Sequence, residues 1–254
     1  DVAPSRGLGD VYKRQVYAGL RNIDMDHFTT PFTALFTNAS HGNFPILSAN
    51  FPLATYPLAA LCLHTEFSPL PGLTFRESLY NGVASDRINR QFRFCPRSDG
   101  MFNIGSLSYH IGEEDRHHGY YAVGYALGSS PSETSADKTF NYALWTLIEQ
   151  PLLHIGESHL GAMWQGGTSP ASRSTCRHYW GAGLIWSNIP PRMTQVGLVV
   201  NRALYADGRE TDVELTGSFP VCNHFTLQPA VHCINTNGNY TAAAQLRAIL
   251  EFGN

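Results

Sequence analysis

Charged residues are scarce in this chain of 254 residues: they make up 15% of the sequence, whereas an ordinary soluble domain has about 25%. No run approaches the roughly 18 consecutive apolar residues that a membrane-spanning helix needs. The net charge of −3 argues against a nucleic-acid partner, because such proteins carry concentrated basic patches. Apolar residues still make up 43% of the chain. Since they are never contiguous for long, they favour alternating strands over buried helices.

Motifs of enzymes and metal sites are also missing. The five cysteines contain no CxxC pair, which excludes a zinc ribbon of the usual spacing. The eleven histidines form no HExxH motif, and the serines form no G-x-S-x-G elbow. A disulfide between Cys222 and Cys233 is an alternative to five unpaired thiols. We therefore expect no enzyme, no cofactor and no bound metal.

Apolar and polar side chains alternate along most of the chain, which is typical of strands with two different faces. In the last segment, Leu246 and Leu250 fall on one face and Gln245 and Arg247 on the other. Twelve such segments are predicted, near 16–23, 57–67, 73–81, 101–111, 119–127, 140–150, 158–165, 177–187, 193–203, 210–219, 225–233 and 244–252.

The connections between these segments alternate between long and short. Bacterial outer-membrane barrels have long outside loops and short periplasmic turns, and the chain follows that rule when it is traced back from its C-terminus. The predicted outside loops are 24–56, 82–100, 128–139, 166–176, 204–209 and 235–241. The predicted inside turns are 68–72, 112–118, 151–157, 188–192 and 220–223.

These patterns predict an all-β protein, an antiparallel transmembrane β-barrel with an apolar face toward lipid. The inward face of the last strands carries many ionisable groups, and burying them in a dry core would cost several kcal/mol each unless they were paired. We therefore expect a water-filled lumen. The turn positions place Glu214, Gln228 and Arg247 level with one another on neighbouring strands.

Two segments stand apart from the strands. Residues 1–15 are basic and differ in character from the rest of the chain, and we interpret them as a non-native leader, which leaves 16–254 as the barrel. The connection 24–56 is long, aromatic and apolar, so we expect it to fold into the barrel and narrow the lumen.

Several ordered blocks resemble the carbohydrate-selective, OprB-like porins of Gram-negative outer membranes. They include residues 36–69 (FTNASHGNFPILSANFPLATYPLAALCLHTEFSP), 73–82 (LTFRESLYNG), 100–111 (GMFNIGSLSYHI) and 141–153 (NYALWTLIEQPLL). The resemblance extends over nearly everything after residue 16. It implies a barrel of about sixteen strands, of which twelve are present here, so that the barrel is left open by truncation at the N-terminus.

The resemblance also implies a function. It indicates a passive outer-membrane channel for small carbohydrates, with outer-membrane lipid as a partner and without a cofactor; association of identical chains is left open. The positions that match the lumen-lining arginines, acids, amides and aromatics of that family are Asn38, Phe44, Arg76, Glu77, Glu149, Glu214, Gln228 and Arg247.

Other functions are compatible with parts of the pattern. A general ion porin and a fatty-acid type transporter share the barrel, but mixed charges in the lumen favour neutral polar solutes over ions. A soluble β-sandwich that binds sugars would explain the alternation, although not the sorting of the loops. A barrel hydrolase would need a Ser–His pair with an orienting group.

Overall fold

The computed structural model describes residues 14–24, 26–84, 92–111, 119–131, 138–192 and 194–251. Within these residues, twelve strands form one antiparallel sheet in which each strand pairs with its neighbours in the chain. The strands are β1 Arg14–Arg21, β2 Ala60–Leu70, β3 Leu73–Asn81, β4 Met101–His110, β5 Tyr120–Pro131, β6 Lys138–Ile155, β7 Ser158–Thr168, β8 Cys176–Ile189, β9 Thr194–Tyr205, β10 Arg209–Cys222, β11 Phe225–Thr236 and β12 Asn239–Leu250.

The predicted fold class is confirmed: the protein is all-β, and all twelve predicted strands are present. β1 and β12 are the two edges of the sheet, which is not closed within the described residues. Residues 1–13 of the predicted leader lie outside those residues, and β1 begins at Arg14, slightly before the predicted start of the barrel at residue 16.

The two faces of the sheet differ as the alternation predicted. Leu215, Val231 and Leu246 are 53%, 55% and 67% exposed on one face, here called the outer face. Glu214 and Gln228, which lie between such positions in the sequence, are buried on the opposite, inner face. Successive side chains of a strand point to opposite faces, so one apolar and one polar surface follow directly from the sequence pattern.

The longest connections lie at the predicted outside end of the strands, but the predicted contrast in length is wrong near the C-terminus, where the outside connection 237–238 is as short as the inside turn 223–224. The segment 22–59 joins β1 to β2 on one side of the sheet, and two-residue turns join β2 to β3 and β6 to β7 on the other side. Asn237 and Gly238 form the tight hairpin before β12, both with positive φ (55° and 95°), as a type I′ turn requires. The predicted turn 112–118, half of the loop 128–139 and part of the loop 82–100 lie outside the described residues.

Helices are few and short. The segment 22–59 contains the 3₁₀ turns Thr33–Leu35 and Ala39–His41 and the one-turn helix Pro45–Ser48. A further turn of helix, Pro96–Asp99, precedes β4. No helix among the described residues is both long enough and apolar enough to cross a membrane.

Candidate functional site

The segment 22–59, here called the plug, packs against the inner face of the sheet. Its side chains Phe28 and Phe44 are fully buried. The Phe28 ring lies 4.9 Å from the rings of both Phe44 and Trp145 of β6, and the Phe44 ring lies 5.5 Å from that of Tyr179 of β8. Aromatic pairs at these distances add to the free energy of burial, so this half of the plug is a small hydrophobic core.

Glycines on the inner face let the plug approach the sheet. A Cβ atom at Gly161 would overlap the ring of Phe32, and a Cβ atom at Gly167 would overlap the side chain of Ile46. Any larger residue at either position would push the plug away from β7. The absence of side chains here is therefore part of how the plug fits.

Glu149 of β6 holds the first 3₁₀ turn of the plug. Its carboxylate accepts the backbone N–H groups of Phe32 (2.8 Å) and Thr33 (3.1 Å) and the hydroxyl of Thr30. Free N–H groups at the start of a helical turn bind anions well. Glu149 is buried, so these three donors replace the water that the carboxylate loses.

Glu214 of β10 holds the second turn in the same way. Its oxygens accept the N–H (2.7 Å) and hydroxyl (2.8 Å) of Thr37 and the N–H of Asn38 (3.1 Å). The Asn38 side-chain amide donates to Asp212 at 2.7 Å, and His232 of β11 lies 3.0 Å from both Asp212 and the Thr37 hydroxyl. The plug is thus fastened to two carboxylates on different strands.

Asp212, Glu214 and His232 also offer one potential metal-ligand atom each within 4.8 Å of one another. Hydrogen bonds from the plug already engage both oxygens of Glu214 and the Nε2 of His232, and Asp212 engages the Nδ1 of that ring. A metal ion would have to displace the Thr37 hydroxyl from between them. We therefore assign this cluster to plug anchoring.

Two histidines of the plug are buried as neutral rings. The Nδ1 of His27 lies 2.9 Å from the Ser106 hydroxyl and its Nε2 lies 3.2 Å from that of Ser78. Burial lowers the pKa of His27 to about 3. Burial also lowers the pKa of His41, whose ring Nδ1 lies 3.1 Å from the Gln165 side-chain oxygen. Neither imidazole carries a charge at neutral pH.

A cavity of about 310 Å³ lies where the plug faces β12. The guanidinium of Arg247 reaches it and donates to the Gln228 side-chain oxygen at 3.4 Å, while the Gln228 amide donates to the backbone oxygen of Leu35. The rest of the lining comes from the plug and mixes apolar rings with polar groups, among them Phe28, Phe36, Asp24, Thr37, Asn38 and Asn43.

The structure brings five of the predicted site residues to the plug. Asn38 and Arg247 line the cavity, and Gln228, Glu149 and Glu214 hold the plug by hydrogen bonds. Arg76 lies apart on the inner face of β3, where it donates to Glu66 (2.7 Å) and Ser108 (3.3 Å).

Glu77 and Phe44 lie elsewhere than a lumen lining requires. Glu77 follows Arg76 in β3 and therefore points to the outer face, where it accepts hydrogen bonds from Tyr125 (3.0 Å) and Asn103. Phe44 is fully buried inside the plug and presents no surface to a solute. Glu77 cannot share a face with Arg76, because adjacent residues of a strand point to opposite faces. For Phe44, the aromatic composition of the segment did not show which of its rings are buried.

The predicted alignment of three polar residues is correct for only two of them. Gln228 pairs with Arg247, but Glu214 pairs with His232. The register of β10 and β11 shifts between Pro220 and Cys222, next to their turn. The turn between β10 and β11 lies at 223–224, later than the predicted 220–223, and this register places His232 and not Gln228 opposite Glu214.

The expectation of a water-filled lumen is wrong along β10 and β11. Asp212, Glu214 and Gln228 are buried, because the plug and not water meets the inner face there. Each of the three forms hydrogen bonds to the backbone or side chains of the plug, although one oxygen of Asp212 is buried without a partner. The alternation identified these residues as inward but could not reveal a partner more than a hundred residues away.

The cysteines form no disulfide: all five are free, and Cys222 and Cys233 are both exposed. Cys222 lies opposite Phe225 and Cys233 lies opposite Val213. The alternative of a Cys222–Cys233 bridge is therefore wrong.

Comparison with known proteins gives one informative likeness. No family model matches the chain, and no curated protein matches it. The high-pH structure of Pseudomonas putida OprB superposes with a TM-score of 0.75 and 14% sequence identity, over 93% of this chain and 68% of that one. The chain has the OprB fold. The predicted resemblance to OprB-like porins is thereby confirmed for the architecture of the barrel wall.

Proposed function

We propose that this protein is a passive channel of the bacterial outer membrane through which small neutral carbohydrates diffuse. The observation that carries the proposal is the cavity between the plug and β12, lined by amides, hydroxyls and one guanidinium beside aromatic rings. Sugars present hydroxyl groups and apolar ring faces, and this lining offers a partner to both.

The outer face supports a location in lipid. It carries exposed large apolar side chains on nearly every strand, among them Leu107, Val123, Leu144, Leu198 and Leu215. Such a surface is far larger than the apolar patches of ordinary soluble proteins, and a barrel wall satisfies its backbone groups within the sheet. The OprB fold agrees with an outer-membrane position.

The balance of charges favours neutral solutes over ions. The cavity contains one carboxylate, Asp24, and one guanidinium, Arg247. The Asp24 carboxylate already accepts the backbone N–H of Tyr56 (2.6 Å) and a hydrogen bond from Asn43. A selective ion pore uses rings of like charge, and the described part of this lining has none.

The predicted site residues take different parts in this proposal. Arg247 and Asn38 contact the solute, Glu149, Glu214 and Gln228 hold the plug, and Arg76 lines the inner wall. The plug is the constriction that was predicted for 24–56. Glu77 and Phe44 do not touch the pathway, and no step of the transport requires a cofactor or catalysis.

Liposome swelling tests this function with the full-length protein. Neutral mono- and disaccharides should enter faster than they enter empty liposomes, and Arg247→Ala should change sugar entry several-fold. Arg192→Ala is the matched control, because Arg192 lies in the β8–β9 turn and only donates to the Val221 backbone oxygen.

Three outcomes would contradict the proposal. Sugars that enter no faster than through empty liposomes would end it. Salts that pass while sugars of equal size do not would favour an ion porin, and uptake restricted to fatty acids would favour a hydrophobic-solute transporter.

A further inference from the structure

His232 occupies a position between two carboxylates and the plug. Its Nδ1 lies 3.0 Å from an Asp212 oxygen, and its Nε2 lies 3.0 Å from the hydroxyl of Thr37. The ring is mostly buried, as are Asp212 and Glu214. Which atoms carry hydrogens can be derived by counting the donors in this cluster.

Glu214 acts only as an acceptor. It receives two backbone N–H groups, from Thr37 and Asn38, as well as the Thr37 hydroxyl at 2.8 Å. Backbone donors at a carboxylate favour its charged form. The single hydrogen of the Thr37 hydroxyl is therefore used on Glu214, so the Thr37 oxygen can only accept from His232.

With Asp212 as well as Glu214 in the carboxylate form, both ring nitrogens of His232 must then carry a hydrogen. Nε2 has to donate to the Thr37 oxygen, and Nδ1 has to donate to Asp212, whose same oxygen also accepts the Asn38 amide at 2.7 Å. We infer that His232 is an imidazolium cation and that in this form it positions Thr37 and Asn38, the part of the plug that borders the cavity.

The surrounding charges agree with a cation at this place. Asp212 and Glu214 face the ring from β10, and no Lys or Arg in the described part of the chain pairs with either carboxylate. The plug contributes His41, which is neutral because burial lowers its pKa. On β12 the residue paired with His232 is Ala243.

A neutral His232 has one hydrogen too few for this arrangement. Either its bond to Thr37 or the bond from Thr37 to Glu214 is lost, and both hold the same turn of the plug. The hold on Thr37 and Asn38 therefore depends on both ring hydrogens of His232.

Hydrogen exchange of the Thr37 and Asn38 amides measures this hold directly. In the full-length protein in detergent micelles, His232→Gln should lower their protection, relative to the intrinsic exchange rate, about tenfold or more, as expected for losing a hydrogen bond to a charged group. His224→Gln, in the exposed β10–β11 turn, should behave as the wild type.

A second measurement does not depend on a variant. The ¹⁵N chemical shifts of the His232 ring in the wild type should be those of an imidazolium under the conditions of the exchange measurement. A neutral ring, with the proton on Glu214 or Asp212, would overturn the inference. Thr37 and Asn38 amides that are as protected in His232→Gln as in the wild type would do the same.

Discussion

The plug has two sides that hold it in different ways, and each side contains a histidine. Toward β3 to β8 it is a core of aromatic rings, in which His27 is buried as a neutral ring among serine hydroxyls and Trp145. Toward β10 and β11 it is held by carboxylates, and His232 lies between them. The same residue type is thus neutral on one side and, by our inference, charged on the other.

The two sides of the plug therefore have different roles. The apolar side fills volume, because packed rings exclude solutes from that half of the lumen. The polar side fixes the position of the chain segment that borders the cavity, because hydrogen bonds to buried carboxylates are directional. Size exclusion and solute contact therefore depend on different residues and can be changed separately.

The largest effect is expected on the apolar side. Phe44→Ala removes a fully buried ring that contacts Phe28 and Tyr179, and we expect a loss of about 3–5 kcal/mol in the free energy of unfolding. Urea titration in micelles measures it. Leu246→Ala, on the exposed outer face, is the control with a small effect. If both variants cost the same, the plug is not a packed core.

The buried, neutral ring of His27 should make the stability depend on pH. An unfolded His27 titrates near 6.5 and the folded one at about 3. Between these values the unfolded chain binds a proton that the folded chain does not, so stability falls as the pH drops below 6.5, by about 2 kcal/mol at pH 5. His27→Gln should abolish this acid-side loss. An unchanged pH profile in that variant would show that His27 is not buried as a neutral ring.

A smaller effect should distinguish the part of the plug held by Glu149 from the part held by Glu214. Glu149→Gln keeps the size of the side chain but removes its charge from the N–H groups of Phe32 and Thr33. We expect about 1.5 kcal/mol less protection of these two amides in hydrogen exchange, without a change at Thr37. Glu157→Gln, in an exposed turn, is the control. Equal loss at Thr37 would mean that the plug opens as one unit.

The sequence predicted the barrel wall well because its signal is local. The alternation of apolar and polar side chains depends only on residues of the same strand. The positive φ of Asn237 and Gly238 is likewise a local property of the turn between β11 and β12. Glu214, Gln228 and Arg247 were correctly assigned to the inner face for this reason.

The candidate site was harder to predict because it depends on distant contacts and on register. The partners of Glu149 and Glu214 come from a segment more than a hundred residues away. The β10–β11 turn lies at 223–224 and not at 220–223, which changes the residues that face each other on these two strands. Glu77 was selected by its residue type and not by its position in the strand. It lies next to the inward-pointing Arg76 and therefore points outward.

The central claim is that the outer face of the sheet lies in lipid while the inner face carries the plug. The four tryptophans test it directly, because Trp164, Trp180 and Trp186 are exposed on the outer face and Trp145 is buried on the inner face. Single-tryptophan variants of the full-length protein, with the others changed to Phe, can be placed in bilayers of brominated lipid. The account predicts strong fluorescence quenching for the three outer tryptophans and little for Trp145. Quenching of Trp145 alone, or of none of the four, would contradict it.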